Sequence, residues 1–375
     1  AVTSSGVWTY TLDNSDADTT ALDAGDTVTD TFTVTVSDDA SPSLSDTMDV
    51  VITITGANDA PSAGSDQTGA VTEDASTATA TGTVAGTDAD DSASLSYTPS
   101  TTSGTYGSIA FSGASWTYTL DNSDADTTAL DAGDTVTDTF TVTVSDNTAQ
   151  DTMDIVITVT GANDAPDAGA AQTGSVTEDA STSTATGTVS ATDADDSASL
   201  QYSASNSGSG TYGSIAFSGA AWTYTLNNAD ADTNALAAGA SVSDAFTVTV
   251  TDGTASDTMT VTIGITGAND APSFTTTGDT SATEDTAYSY TAQASDVDTG
   301  DTATVAVTSS TCPSWATCSG ATISGTPGNS DIGSYAVDIT ATDGTATTTQ
   351  SFTIVVAPTN DAPTIDSTAV TSATE

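Results

Sequence analysis

Apolar and polar residues alternate along most of this chain with a period of two. Between Thr135 and Val144, the residues Val136, Phe140, Val142 and Val144 fall on one face and the threonines on the other. Met153, Ile155, Ile157 and Val159 repeat the pattern, as do Trp116, Tyr118 and Leu120. Such runs predict strands that bury one face only, and the branched threonine side chain suits the exposed face. Ser-Gly-Ala-Ser at 112–115 joins two runs as a hairpin loop, and no helical period of useful length interrupts them. Because the repeated Trp and Tyr alternate with Thr, they lie on the core-facing side, which favours packing over a sugar-binding platform.

The strands recur in register, and that repetition sets the architecture. Trp-Thr-Tyr-Thr-Leu occurs at Trp8–Leu12, Trp116–Leu120 and Trp222–Leu226, and an eleven-residue word precedes the latter two at Gly104–Ala114 and Gly210–Ala220. Gly-Ala-Asn-Asp-Ala-Pro closes each copy at Gly56–Pro61, Gly161–Pro166 and Gly267–Pro272, with a variant at Asn360–Pro363. Its proline cannot continue a sheet ladder, so the word reads as a linker. Residues 62–166 and 167–272 are then two full repeats, and residues 1–61 the C-terminal part of another. Residues 273–363 share the ends but not the middle, and 364–375 begin a further unit. The chain thus opens inside one repeat and closes inside another, so its ends read as cuts in a longer array. About seven short strands per roughly 100 residues predict an all-β chain of tandem Greek-key β-sandwiches.

Charge changes the picture more than anything else in the composition. The chain has 375 residues, 51 Asp plus Glu, and no Lys, Arg or His, for a formal charge of -51. Its carboxylates must therefore be satisfied by water, by hydrogen-bond donors or by bound cations. Nothing basic exists to neutralise phosphate, which makes nucleic acid and anionic membrane surfaces poor partners; no nucleic acid and no membrane insertion are expected for this segment. No apolar run approaches a membrane span, and no signal peptide is visible. Cys312 and Cys318, the only cysteines, could close a small disulfide loop suited to an oxidising compartment or stand as two free thiols. No Asn-x-Ser/Thr sequon is present, and missing lysine excludes Lys-Asn cross-links and predicts resistance to trypsin.

The acids hold position relative to the linkers. Fifteen residues after the linker Asn come Glu73-Asp74, Glu178-Asp179 and Glu284-Asp285. An Asp-x-Asp follows at Asp88/Asp90, Asp193/Asp195 and Asp296/Asp298, and Asp38, Asp146, Asp252 and Asp343 end the long penultimate strand of each copy. A sandwich gathers the loops of one end, so these groups can converge beside the linker pairs Asn58-Asp59, Asn163-Asp164, Asn269-Asp270 and Asn360-Asp361. Calcium takes six to eight oxygens from such a mixture, whereas transition metals would want imidazole or thiolate. A second acidic loop at Asp121–Asp126, repeated at Asp13–Asp18 and Asn227–Asp232, reads equally as a surface turn and as a separate ion site.

With the Glu-Asp, Trp-Thr-Tyr-Thr-Leu, Ala-Leu-Asp-Ala-Gly-Asp and Gly-Ala-Asn-Asp-Ala-Pro words in order, residues 1–272 resemble the VCBS repeats of very large bacterial surface and secreted adhesins. Through Pro313-Ser314-Trp315, Ile323–Pro327 and Ala341–Gly344, residues 273–363 resemble the dystroglycan-type, cadherin-like sandwich. The resemblance implies an extended rod of cadherin- or immunoglobulin-like sandwiches with calcium at the junctions. By that pattern Asn163 and Asp164 meet Asp193, Asp195 and Asp252 from one side and Glu73 from the other. Asn58 and Asp59 meet Asp88, Asp90 and Asp146. Glu178 joins Asn269, Asp270, Asp296, Asp298 and Asp343, and Glu284 joins Asn360 and Asp361. Where cadherins carry Leu-Asp-Arg-Glu, this chain has Leu130-Asp131-Ala132-Gly133 and, in the third copy, Leu236-Ala237-Ala238-Gly239, so fewer or weaker ions are expected near Asn269.

The expected function is structural: a calcium-rigidified stalk segment of a giant extracellular adhesin or surface filament, serving cell adhesion or biofilm. Alternatives are a self-assembling filament or sheath subunit and a carbohydrate-binding module in 273–363. Expected partners are neighbouring repeats, other copies in a filament, and a cell-surface glycan or receptor reached through domains outside this segment. Carboxylate pairs alone could serve acid-base chemistry, but here they recur in every repeat, whereas an active site should occur once; an enzyme is not expected.

Overall fold

The computed structural model describes residues 3, 5–308, 311–368 and 372. The chain divides into two compact units, residues 1–166 with the loops 193–199 and 252–255, and residues 167–192, 200–251 and 256–375. The unit expected to begin at residue 364 lies partly outside the described residues.

The first unit opens with a one-turn helix α1 (Ala17–Thr20) and a long hairpin of β1 (Thr27–Ser37) and β2 (Ser45–Thr55). Seven strands then form a sandwich: β3 (Gln67–Thr72), β4 (Thr79–Thr83), β5 (Ser96–Pro99), β6 (Gly107–Ser112), β7 (Ser115–Leu120), β8 (Thr135–Ser145) and β9 (Gln150–Thr160). Helix α2 (Ala125–Thr128) sits between β7 and β8. One sheet runs β3-β9-β8-β5 and the other β4-β7-β6. The first strand pairs in parallel with the last, Gln67 opposite Ile155, while the other pairings are antiparallel.

Alternation places the core as expected. Trp116, Tyr118 and Leu120 face Phe140, Val142, Val144, Met153, Ile155, Ile157 and Val159 across the sandwich, all buried. The Trp116 ring lies so close to Gly82 that a Cβ there would stand 2.6 Å from its Cε2, and its Nε1 donates to Gln67 Oε1 at 2.8 Å. In the β1–β2 hairpin the same positions are open: Phe32 is 49% exposed, against 0% for its counterpart Phe140.

The second unit repeats this sandwich with β10 (Gln172–Thr177), β11 (Thr184–Thr188), β12 (Gln201–Ala204), β13 (Gly213–Ser218), β14 (Ala221–Leu226), β15 (Ser241–Thr251) and β16 (Ser256–Thr266). Its sheets, β10-β16-β15-β12 and β11-β14-β13, enclose Trp222, Tyr224 and Phe246. A second sandwich follows, made of β17 (Ser273–Phe274), β18 (Ser281–Thr283), β19 (Tyr288–Thr291), β20 (Ala294–Ser295), β21 (Thr304–Val307), β22 (Ala316–Ser319), β23 (Thr322–Gly325), β24 (Gly333–Thr342) and β25 (Thr347–Ala357). Its main sheets are β18-β25-β24-β21 and β19-β23-β22. A disulfide joins Cys312 to Cys318, and between them Trp315 stacks edge-on against Tyr288 and Tyr335.

Candidate metal centres at the linkers

The turn that ends each long strand also aims its aspartate. After β8 the chain reverses through Asn147 at φ 81°, and after β15 and β24 through Gly253 and Gly344 at φ 104° and 101°, a left-handed conformation that Asn and Gly adopt most readily. Asp146 Oδ1 accepts the amides of Thr148 and Ala149 at 2.6 and 2.7 Å. The turns at Asp252 and Asp343 repeat this. Backbone donation from Ala149, Thr254 and Ala346 holds the carboxyls of Asp146, Asp252 and Asp343 below the usual range. The second oxygen of each then takes the linker amide: Asn58, Asn163 and Asn269 Nδ2 donate to Asp146, Asp252 and Asp343 Oδ2, each at 2.9 Å.

The next linker residue is held by the Asp-x-Asp loop. The amides of Asp59, Asp164 and Asp270 donate to Oδ2 of Asp90, Asp195 and Asp298 at 3.1, 3.1 and 2.9 Å. Within each loop the second Asp donates its own amide to the first, as Asp195 does to Asp193 Oδ1 at 3.2 Å. From the other side, Glu73 and Glu178 each use Oε2 to accept a linker amide, that of Ala162 at 3.0 Å and of Ala268 at 3.1 Å. Asp74 and Asp179, at φ 52° and 54°, turn the chain directly after these glutamates. Each predicted set around Asn58, Asn163 and Asn269 is thus brought together, the first two in one unit and the third in the other. Around Asn360 the set is partial: Glu284 accepts from the Thr359 amide at 2.9 Å, while Asp361 is exposed and accepts from Asn329 Nδ2.

What each set leaves unpaired is informative. Glu73 Oε1, Asp164 Oδ2, Asp193 Oδ2 and Asp195 Oδ1 are buried without any hydrogen-bond partner. So are Asp88 Oδ2 and Asp90 Oδ1, and Glu178 Oε1, Asp270 Oδ2, Asp296 Oδ2 and Asp298 Oδ1; Glu284 Oε1 joins them. Burial raises the carboxyl pKa of Glu73, Glu178, Asp90, Asp164, Asp195, Asp270 and Asp298, and neighbouring carboxylates push the same way. Oxygens stripped of water and given no donor are costly unless a cation takes the place of both. Among the described residues, no group of three or more His, Cys, Asp or Glu side chains is placed so that it could hold a metal ion on its own. An oxygen-ligating ion does not need one, since amide and backbone carbonyls and water complete its shell. The donors fit a hard cation of that kind.

In the second acidic loop the aspartates bond to the loop itself, while Asn122 Oδ1 and its counterpart Asn228 Oδ1 are buried without a partner. Asp121 Oδ1 accepts the Ser123 amide and hydroxyl at 3.0 and 2.6 Å, and Asp124 caps α2 by accepting the Asp126 amide at 2.9 Å. Asp38, in the open hairpin, likewise turns Oδ1 to the Leu44 amide at 3.0 Å.

One buried acid was not singled out from the sequence. Asp138 sits on the inward face of β8, between Val136 and Phe140, and accepts the Thr105 amide at 2.8 Å, the Tyr106 amide at 3.2 Å and the Tyr118 hydroxyl at 2.7 Å. Asp244 does the same with Thr211, Tyr212, Gly213 and Tyr224. The signal was there: an aspartate at a parity that otherwise holds only apolar residues. A Cβ on Gly104 or Gly210 would overlap these carboxylates, which accounts for glycine at both places.

Seven-stranded sandwiches, with an Asn-Asp pair, an Asp-x-Asp loop and a strand-end aspartate gathered at the linkers around Asn58, Asn163 and Asn269, define a protein of tandem cadherin-like domains. The chain belongs to the bacterial cadherin-like domain family, which matches residues 58–161 and 163–267, more than half its length. Residues 271–357 match an Ig-domain family. Among solved structures, the chain is similar to protocadherin gamma B2 extracellular cadherin domains 1–5, at 16% identity and a TM-score of 0.56, over 96% of this chain and 71% of that one. The protocadherin gamma B4 extracellular domain gives 17% and 0.51, over 95% of this chain and 58% of that one. These likenesses show the fold alone. An endo-fucoidan hydrolase aligns at 19% identity over 81% of this chain and 45% of its own, but its TM-score of 0.25 carries no argument for an enzyme. No curated protein matches the chain in sequence. Cadherin-like and Ig-like domains are typically structural, non-enzymatic modules of extracellular proteins. Among the described residues, no helix is long and apolar enough to cross a membrane.

Proposed function

We propose that this chain is a stalk segment of a giant extracellular adhesin or surface filament, stiffened by calcium at its linkers. In this reading residues 1–61, 62–166 and 167–272 are VCBS-like repeats, residues 273–363 are a dystroglycan-type cadherin-like domain, and 364–375 begin a further repeat. The array holds a glycan- or receptor-binding tip away from the cell, in adhesion or biofilm.

The observation that supports it is the set of buried, unpartnered carboxylate oxygens that recurs at the linkers around Asn58, Asn163 and Asn269. Calcium would supply there the positive charge that the chain lacks. Asn163 and Asp164 would hold it from the linker, Asp193, Asp195 and Asp252 from the loops on one side and Glu73 from the other. Asn58, Asp59, Asp88, Asp90 and Asp146 form the equivalent set, as do Asn269, Asp270, Asp296, Asp298, Asp343 and Glu178, with Glu284, Asn360 and Asp361 for a fourth. Linker amides fix one oxygen of Asp90, Asp195, Asp298, Glu73, Glu178 and Glu284 and leave the second without a donor, so that oxygen is ordered before a cation binds. Without a cation these acids repel one another, and the linkers loosen.

Calorimetric titration with calcium, paired with small-angle scattering in calcium and in chelator, tests the reading. Heat of binding near millimolar calcium and a more compact, more variable profile in chelator are expected. No binding heat, together with an extended profile unchanged in chelator, would overturn it.

A further inference from the structure

The resemblance to cadherins sets Leu130-Asp131 at the Leu-Asp-Arg-Glu word, and in the structure both Asp131 carboxylate oxygens accept hydrogen bonds from one serine. Asp131 Oδ1 accepts the Ser197 amide at 3.2 Å, and Oδ2 accepts the Ser197 hydroxyl. The Asp196 amide beside it donates to the Ala129 carbonyl at 3.2 Å. The same three bonds recur upstream, where Asp23 takes the Ser92 amide at 3.2 Å and the Ser92 hydroxyl, and the Asp91 amide donates to the Ala21 carbonyl at 3.1 Å. Ser92 and Ser197 lie two residues after Asp90 and Asp195, the acids that hold the linker amides. The loops that carry Asp23 and Asp131 are themselves tied to the linker: the Gly25 amide donates to the Gly56 carbonyl at 3.1 Å, and that of Gly133 to the Gly161 carbonyl at 3.0 Å.

Near Asn269 this arrangement is stripped down. Ala237 replaces the aspartate and Gly300, at φ 98°, replaces the serine. Only the backbone bond remains, from the Thr299 amide to the Ala235 carbonyl at 3.0 Å, while the tie of Gly239 to Gly267 is kept at 3.0 Å.

We propose that Asp23 and Asp131 are clamps: each closes both carboxylate oxygens on a serine, holding the Asp-x-Asp loop against its linker before any cation arrives. The loop 299–301 beside the linker at Asn269, which has no such clamp, is held less firmly than 91–93 and 196–198. The clamp stands on hydrogen bonds alone, and it holds whether or not calcium fills the crevices. Where calcium does bind, Asp131 acts through Ser197 as a positioning residue for Asp195.

Amide hydrogen exchange of the whole chain in excess chelator tests this directly. The amides of 91–93 and 196–198 are expected to exchange roughly tenfold more slowly than those of 299–301. Asp131→Ala should bring 196–198 up to the rate of 299–301 while leaving 91–93 and the β8–β9 ladder unmoved, and Asp131→Asn, which keeps an acceptor, should retain part of the protection. Wild-type protection at 196–198 no better than at 299–301, or protection unmoved in Asp131→Ala, would overturn the clamp. A calcium titration separates clamp from ligand. The clamp requires that Asp131→Ala and Ser197→Ala weaken binding alike with the number of ions unchanged; loss of an ion in Asp131→Ala alone would overturn it. Failure of calcium binding in the wild type would sink the stalk reading but leave the exchange result decisive for the clamp.

Discussion

Asp138 inside the first sandwich and Glu73 beside the linker are almost equally hidden, at 4% and 2% exposure, yet they are served in opposite ways. Asp138 receives two backbone amides and a tyrosine hydroxyl, a set that stabilises a buried charge with no help from solution. Glu73 has one amide on Oε2 and nothing on Oε1. The difference teaches that burial alone does not mark a binding site in so acidic a chain. The mark is burial with the partner missing.

The widest separation between the two regions should come from Asp138→Ala. It strands two amides and the Tyr118 hydroxyl inside the sandwich, and it should cost on the order of 4 kcal/mol, the same in calcium and in chelator. Urea unfolding followed by tryptophan fluorescence reads this, and rescue by calcium would erase the distinction. Calcium itself should come next. At a hundredfold excess over its dissociation constant, an ion held only by the folded state adds about 2.7 kcal/mol per site. Glu73→Gln should lose much of that gain at its own linker while leaving stability in chelator unchanged or higher, because it removes a charge that burial already penalises. A Glu73→Gln loss of equal size in chelator would make Glu73 a second Asp138.

Tyr118→Phe should cost about 1–3 kcal/mol, since Asp138 keeps its amides but loses its shortest donor. The smallest effect concerns acid. Asp151 and Asp257 have carboxyl pKa values lowered by the amides of Ala63 and Ala168. A lowered folded value means that their stabilisation is present above the unfolded pKa of about 3.9 and is lost as pH falls through the folded one. Thermal melts of Asp151→Asn should therefore show a shallower acid limb than wild type. An identical limb would show that the Ala63 amide contributes nothing to stability.

Much of the site was legible because its residues keep fixed offsets from the linker. Spacing named Asn163, Asp164, Asp193, Asp195, Asp252 and Glu73 as recurring positions, the cadherin resemblance grouped them, and hydrogen bonds gather them at one place. The bonds of Asp131 to Ser197 were not legible in the same way. The sequence offered Asp131 only as part of the altered Leu-Asp-Arg-Glu word, and Ser197 lies 66 residues away and carries no signal of its own. Asp138 was legible in principle from its inward parity, although its donors, Thr105 and Tyr118, lie in a distant loop and in the opposite sheet.

Alternation, repetition and the absence of any cationic side chain determined from sequence alone that this chain forms one-face-buried strands in repeated sandwiches, with its acids left in search of positive charge. Period two and fixed spacing are local properties, and a chain carries them before it folds. Only the tertiary structure decided which oxygen of each acid meets a donor and which is left facing none. Pairing of that kind depends on which loops the sandwich brings within about 3 Å of one another, a distance that sequence separation does not encode.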